Sequence, residues 1–289
     1  MATIQWYPGH MAKAKREIQE RLKQVDLVLE VVDARLPESS RNPMLRELIG
    51  DKAHLLLLNK ADLADPQMTQ AWQKYYQREQ QPVLALDSQH GQPLRPVLHA
   101  AKQILAPKIA AQQQKGVLKT TIRAMCIGIP NSGKSTFLNR LAGKNIAPIG
   151  NRPGVTRKQN WLKTKDDFEV LDTPGVLWPK FEDPTVGQKL ALTGAIKEGL
   201  YHEDDITLFA LGFYQKQYPQ ILQQTYQLTA AQLDLPAVEL LLLLTKQAGF
   251  RDDYDRMAAK FLLYFRKGKL GRITLDLPPV GWEATVADD

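Results

Sequence analysis

Gly128-Ile-Pro-Asn-Ser-Gly133-Lys134-Ser135 is the stretch whose reading decides the fold. It matches G-x-x-x-x-G-K-[ST], a loop whose backbone N–H groups close around phosphate oxygens. Before it, Ile122 to Ile127 reads as a buried strand. After it, Thr136 to Leu141 reads as a helix with Gly143 as its stop. Strand, Gly-rich turn and helix are the context the motif needs, because the helix N-terminus adds partial positive charge to the cradle. Lys134 reaches toward the β- and γ-phosphates, and the Ser135 hydroxyl offers a ligand to Mg²⁺. Taken alone, the loop implies a nucleoside triphosphate and is silent on the base.

The base is read upstream. Leu27 to Val32, ended by Asp33-Ala34-Arg35, has the continuous apolar pattern of a buried parallel strand. Met44 to Ile49 predicts a helix closed by Gly50, and a second buried strand, Leu55 to Leu58, runs into Asn59-Lys60-Ala61-Asp62. This tetrapeptide is N-K-x-D at a strand end, where α/β sheets bind ligands. A carboxylate there accepts two hydrogen bonds from guanine, at N1–H and the 2-amino group, and adenine has no such donor pair on that edge. Asn59 can brace the loop and meet the base, while the Lys60 stem can cover the base plane. Asp65-Pro66 caps a helix to about Gln80. A third strand, Val83 to Leu86, leads into Asp87-Ser88-Gln89-His90-Gly91. That segment loosely matches the S-A-K-type loop that meets guanine through backbone N–H groups; a plain turn explains it equally well. Pro93 to Leu105 predicts a helix, and Pro107 to Lys119 a Gln- and Lys-rich connector.

Downstream, Asn151-Arg152-Pro153-Gly154-Val155-Thr156-Arg157 is a polar loop before two strands, Lys158 to Thr164 and Phe168 to Leu171. Thr156 is the natural second hydroxyl for Mg²⁺. Asp172-Thr173-Pro174-Gly175 fits D-x-x-G, with Asp172 placed to hold Mg²⁺ through water and the Gly175 N–H to touch the γ-phosphate. From about residue 186 strand patterns give way to helical periodicity. Pro236 starts a helix that Gly249 ends, and Tyr254, Met257, Ala258, Phe261, Leu262 and Phe265 share one helical face. The basic turn Arg266-Lys267-Gly268-Lys269-Leu270-Gly271-Arg272 follows. At the other end, Trp6-Tyr7-Pro8-Gly9-His10-Met11 precedes a basic helix carrying Lys13, Lys15, Arg16, Arg21 and Lys23. His10 is a candidate for chemistry, because imidazole titrates near neutrality and can position water.

The totals agree with a globular, basic chain whose polyanionic partner would be nucleic acid or an acidic membrane. With 289 residues, 44% hydrophobic and 24% charged, there is length and apolar content for two domains. The net charge of +7 favours a polyanionic partner. The one cysteine, Cys126, excludes an internal disulfide and suits a reducing cytoplasm; it reads as core packing. No apolar signal segment opens the chain, and Leu240 to Leu244 is too short to span a bilayer. Nothing asks for an obligate dimer, so a monomer without membrane contact is expected.

The motif order is unusual. In small GTPases the phosphate loop comes first and N-K-x-D late. Here N-K-x-D and the Ser88 loop precede Gly128–Ser135, Thr156 and Asp172–Gly175. This is a circular permutation in which 107–119 joins the old ends and the new break lies after D-x-x-G. The switch segment then feeds the C-terminal helices. The expected fold is α/β: a circularly permuted P-loop GTPase domain, mostly parallel sheet with helices on both faces, over 26–180. A basic arm, 1–25, precedes it and a smaller all-α RNA-binding domain, 181–289, follows.

Permuted order, Trp6–Met11, Asp33-Ala34-Arg35, Asn59–Asp62, Gly128–Ser135, Pro153–Arg157, Asp172–Gly175 and Gly268-Lys269-Leu270-Gly271-Arg272 together resemble one family nearly end to end. It is the ribosome-biogenesis GTPase A (YlqF/RbgA) type of circularly permuted GTPase. The resemblance implies GTP hydrolysis to GDP coupled to late assembly of the large ribosomal subunit, with the C-terminal helical domain meeting ribosomal RNA. It implies that Val176 replaces the water-positioning glutamine of many GTPases and that His10 takes that role, beside Lys134 and Thr156 in catalysis. The nucleotide contacts expected on the base side are Asn59, Lys60, Asp62, Asp87 and Ser88. On the phosphate side they are Asn131, Ser132, Gly133, Lys134, Ser135, Thr136 and Gly175. Mg²⁺ falls to Ser135, Thr156 and Asp172. Asn131 also stands where potassium-stimulated GTPases of similar type carry an asparagine, which adds K⁺ to the expectations. Two other readings stay open on the residues: an RNA-binding scaffold that holds GTP with little turnover, which Val176 keeps alive, and a P-loop ATPase or kinase, against which Asp62 argues.

Overall fold

The computed structural model describes residues 9–90, 94–117, 120–143, 160–164 and 167–279, with the backbone alone at His10 and Asn160. Trp6, Tyr7 and Pro8, Gly91, the loop 151–157 with Thr156, and Lys158 lie outside the described residues.

Among the described residues six strands form one sheet in the order β3-β2-β1-β4-β6-β5. They are β1 (Leu27–Asp33), β2 (His54–Asn59), β3 (Val83–Leu86), β4 (Ile122–Ile127), β5 (Asn160–Lys163) and β6 (Phe168–Asp172). All neighbours pair in parallel except β5, which runs antiparallel to β6 at the edge. Every residue of β1 is buried, as a central parallel strand covered on both faces requires. Alternation along the strands splits the core. Leu27, Leu29, Val31, Ala124 and Cys126 face one layer, and Val28, Met125 and Ile127 face the other.

Helices α1 (Gly9–Arg21), α2 (Pro43–Ile49), α3 (Pro66–Arg78), α4 (Arg95–Ile104), α5 (Ala106–Gln114) and α6 (Lys134–Ala142) intersperse the strands. Their starts follow local chemistry. Asn42 caps α2 by accepting from Met44 N at 3.0 Å, and Asp65 caps α3 by accepting from Gln67 N at 2.8 Å, each with proline just inside. Val97 and Ala101 of α4 and Phe137 and Leu138 of α6 cover one sheet face. On the other face Trp72 and Tyr76 of α3 form a local cluster. The segment expected as a connector after Pro107 folds instead as α5. Ala, Gln and Lys are good helix formers and Pro107 stands in its first turn, where a missing N–H costs nothing.

After β6 the regular elements among the described residues are helices: α7 (Pro184–Leu192), α8 (Glu203–Gln217), α9 (Pro219–Tyr226), α10 (Ala230–Leu233), α11 (Ala237–Gln247) and α12 (Tyr254–Arg266). They share one continuous apolar cluster with the sheet. Met11, Ala14 and Ile18 of α1, Met125 and Ile127 of β4, and Leu211, Leu244 and Phe261 of the helices all belong to it. The basic N-terminal helix is therefore docked by its apolar stripe. After α12 the chain returns to the sheet: Leu275 N donates to Arg35 O at 2.8 Å, and the Asp276 carboxylate accepts from Ser39 N and Lys189 Nζ. Among the described residues no helix is long and apolar enough to cross a membrane.

Candidate nucleotide site

The parallel strands end on one edge of the sheet, and the register lines their last residues up. Asp33 pairs with Asn59, Asn59 with Leu86, and Cys126 with Asp172. The loops that carry the motifs therefore start side by side. Asn59 ties them together. Its Nδ2 donates to Ser132 O of the phosphate loop at 2.8 Å, and its Oδ1 accepts from Ser88 Oγ at 2.7 Å. Both ends of the amide are engaged in bracing. Gly133, at φ +92°, sits so close that a Cβ there would strike Asn59 Nδ2.

Lys60 adopts φ 60°, a left-handed conformation that costs an ordinary residue free energy and persists where its surroundings fix it. Its ammonium donates to Asn131 O at 2.5 Å and to Asp33 Oδ2 at 3.0 Å. Asp33 in turn accepts from Arg35 Nε at 2.9 Å and Nη2 at 2.8 Å. Burial alone would raise the Asp33 carboxyl, but Arg35 and Lys60 hold it well below the usual carboxylate range. Burial pulls Lys60 down, against the attraction of Asp33. In the sequence Asp33 and Arg35 read as the end of a strand and as one of the motifs behind the family resemblance, without a role of their own. Their signal is a charged pair at the C-terminal end of a central strand, next to N-K-x-D.

Asp62 is partly exposed, and burial with the neighbouring Asp87 raises its carboxyl above the ordinary value. The His90 imidazole lies between the two, 2.9 Å from Asp87 Oδ2 and 3.5 Å from Asp62 Oδ2. Asp87 also accepts from the Gln89 and His90 backbone N–H groups, which shapes the turn after Ser88. The Ser88 loop thus packs directly on N-K-x-D.

In the phosphate loop Lys134 is buried and donates to Gly128 O and Ile129 O, at 3.2 and 2.7 Å. Burial lowers its pKa, opposed by Asp172 among others. Ser132 Oγ closes the loop on Ile129 O at 3.1 Å. Asn131 Nδ2 donates to Gly194 O, after α7, at 2.6 Å. Ser135 and Thr136 open α6 at the foot of the loop. Asp172 ends β6 and is buried, which pushes its carboxyl up to about 6 against the pull of Lys134. Among the described residues its buried Oδ1 has no hydrogen-bond partner. An orphaned carboxylate oxygen beside Lys134 fits a cation or a cation-bound water. Val176 is fully buried in the apolar cluster, with its N–H on Gly128 O and its carbonyl accepting from Asn42 Nδ2. Thr156 and the His10 side chain lie outside the described residues.

The basic turn after α12 divides. Arg266 points inward, donating to Ala191 O, Leu192 O and Tyr201 Oη and pairing with Glu198. Arg272 donates to Ala64 O and Ala61 O while remaining exposed. Lys267 and Lys269 stay exposed.

Residues 123–260 match the family model described as 50S ribosome-binding GTPase. Ribosome biogenesis GTPase A of Priestia megaterium is 48% identical, over 96% of this chain and 97% of that protein. Mitochondrial ribosome-associated GTPase 1 of Xenopus tropicalis is 33% identical, with 94% of each covered. Among solved structures, GNP-bound YlqF from T. maritima aligns with a TM-score of 0.65 at 25% identity, covering 92% of this chain and 98% of that one. Permuted GTPase motifs on one sheet edge and near-full-length identity to these relatives agree: the chain is a GTP-hydrolysing enzyme and belongs to the ribosome biogenesis GTPase A family.

Proposed function

We propose that this GTPase couples GTP hydrolysis to late maturation of the large ribosomal subunit, binding ribosomal RNA as it does so. The observation that carries the nucleotide reading is the Asn59 bridge, which holds the base-reading loop and the phosphate loop at a fixed spacing. Asp62 then accepts from guanine N1–H and the 2-amino group, with the Ser88 loop beside it. Ser132, Gly133, Lys134, Ser135 and Thr136 take the phosphates, and the Gly175 N–H meets the γ-phosphate. Ser135, Asp172 and Thr156 would hold Mg²⁺, which when bound neutralises charge on the β- and γ-oxygens. Val176 is buried; following the family resemblance, the positioning of water is assigned to His10, with slow intrinsic turnover. Asn131 is the residue for K⁺. Its Nδ2 serves Gly194 O, so a cation contact falls to Oδ1. Exchanging K⁺ for Na⁺ at constant ionic strength tests this assignment, and identical rates remove it.

The divisions 1–25, 26–180 and 181–289 are proposed as arm, GTPase domain and RNA-binding domain. Support for RNA comes from a ladder of cations and rings on α12 and the turns that flank it. Arg256 lies over Phe250 at 4.4 Å, Lys260 over Phe250 and Tyr264 at 5.2 and 5.5 Å, and Lys269 over Tyr264 at 5.0 Å. Cations interleaved with rings are the composition that phosphates and unstacked bases recognise. In a cytoplasmic lysate with a non-hydrolysable GTP analogue, the monomeric protein should sediment with large-subunit particles. If it remains at the top of the gradient with either nucleotide, the assembly role fails.

A further inference from the structure

We infer that Arg272 and the tail behind it are positioning residues for guanine recognition, so that the end of the helical domain completes the base-reading loop. The inference rests on the assignment of Asp62 as the guanine acceptor. Arg272 Nη2 donates to Ala61 O and Nε to Ala64 O, both at 2.9 Å, straddling Asp62 on the loop's backbone. The next residues continue the grip. Ile273 N donates to Leu63 O at 3.2 Å, and Thr274 Oγ accepts from Asp65 N at 3.2 Å. Tyr218 Oη reaches Asp65 Oδ2 and Thr274 O.

The loop needs such a brace. Lys60 holds φ 60°, and a strained residue stays in place when several contacts over-determine it. From the sheet side the loop is fixed by Lys60 on Asp33 and by Ala61 N on Leu86 O. Beyond Ala61 its carbonyls and amides are met by the tail. The tail is itself rigidly seated. Ile273, Thr274 and Leu275 are buried, Trp72 Nε1 donates to Asp276 O, and the Asp276 carboxylate takes Glu38 N, Ser39 N and Lys189 Nζ. A guanidinium fork on two backbone carbonyls, anchored by a buried segment, sets the height of Asp62 against the base plane.

Base selectivity distinguishes positioning from stability. Guanine offers Asp62 two donors and hypoxanthine one, so the ratio of GDP to IDP affinity reports whether the carboxylate is in place. Arg272→Ala should weaken GDP by about tenfold and IDP less, compressing the ratio, with the melting temperature little changed. Arg272→Lys, which loses the fork, should fall between. Thr274→Val, which removes the bond to Asp65 N with little change in shape, should compress the ratio in the same direction and keeps the test available if Arg272→Ala fails to fold. Asp62→Asn, assayed with xanthosine diphosphate, is the control for the underlying assignment. If it does not shift preference toward xanthine, the Asp62 reading itself falls. If it does, and Arg272→Ala, Arg272→Lys and Thr274→Val keep the wild-type GDP to IDP ratio, or lower both affinities equally as the melting temperature drops, the positioning role is overturned.

Discussion

Asp33 is the residue on which the site's charge balance turns. It is buried with Arg35 and Lys60 as its two cations, and its carboxyl is held below the ordinary value. A carboxylate depressed on folding contributes stability above its unfolded pKa, and that stability is lost as pH falls through about 4 and below. Asp33→Asn should therefore cost about 3 kcal/mol at pH 7, because the buried Arg35 and the partly exposed Lys60 lose their partner. The same variant should show a flatter loss of stability below about pH 4 in urea titrations. A pH profile parallel to the wild type would mean the pair does not titrate as described. Val176 makes a second residue-scale case. Its side chain is fully buried in the apolar cluster, so Val176→Gln cannot supply the missing water positioner and buries an amide instead. Loss of about 2 kcal/mol or more in denaturation, with no gain in GTP turnover, is expected. Faster hydrolysis by this variant would show that residue 176 does reach the nucleotide.

Among the elements, the strands were legible because two-sided burial writes continuous apolar runs, as in Leu27 to Val32 and Leu55 to Leu58. The phosphate loop was legible because its glycines and lysine recur at fixed spacing. What the sequence hid is tertiary. Nothing local told α5 from a connector except helix propensity. Nor could the local pattern of Arg266–Arg272 say which cations are tied to backbone carbonyls, since that depends on carbonyls of α7 and of the loop after β2. Arg266 shows the consequence. It closes the C-terminal end of α7 through Ala191 O and Leu192 O and leans on Gly194, whose φ of +82° makes the turn. Arg266→Met should lose about 3 kcal/mol in urea denaturation, and Arg266→Lys should recover less than half, because an ammonium cannot span two carbonyls and Tyr201 Oη at once. Wild-type stability in either variant would show that the turn stands without the clamp.

At the scale of the whole molecule, the described residues of the helical part meet the loops of the candidate nucleotide site. Gly194 O takes the phosphate-loop Asn131, the tail grips the loop of Asp62, and Val176 after D-x-x-G is buried in the core those helices share. A γ-phosphate that draws in the Gly175 N–H must therefore act on the packing of Val176, and through it on the helices that carry Arg256, Lys260 and Lys269. Linkage makes the effect mutual: a polyanion that prefers the GTP arrangement of the helices tightens GTP by the same factor. The large subunit or its precursor should accordingly bind the GTP-analogue form more tightly than the GDP form, and binding should weaken steeply with salt as neutralised phosphates release counterions. Replacing Arg256, Lys260, Lys267 and Lys269 by Gln keeps the side-chain stems and removes the charges. The log–log salt slope should flatten by roughly one unit for each phosphate that the variant no longer neutralises, with GTP affinity of the free protein unchanged. Arg272 is left out of that set because it holds the guanine loop. Equal affinity of the GDP and GTP-analogue forms for the particle would break the coupling between site and helices, and an unaltered slope in the four-site variant would move the RNA-binding face off the ladder.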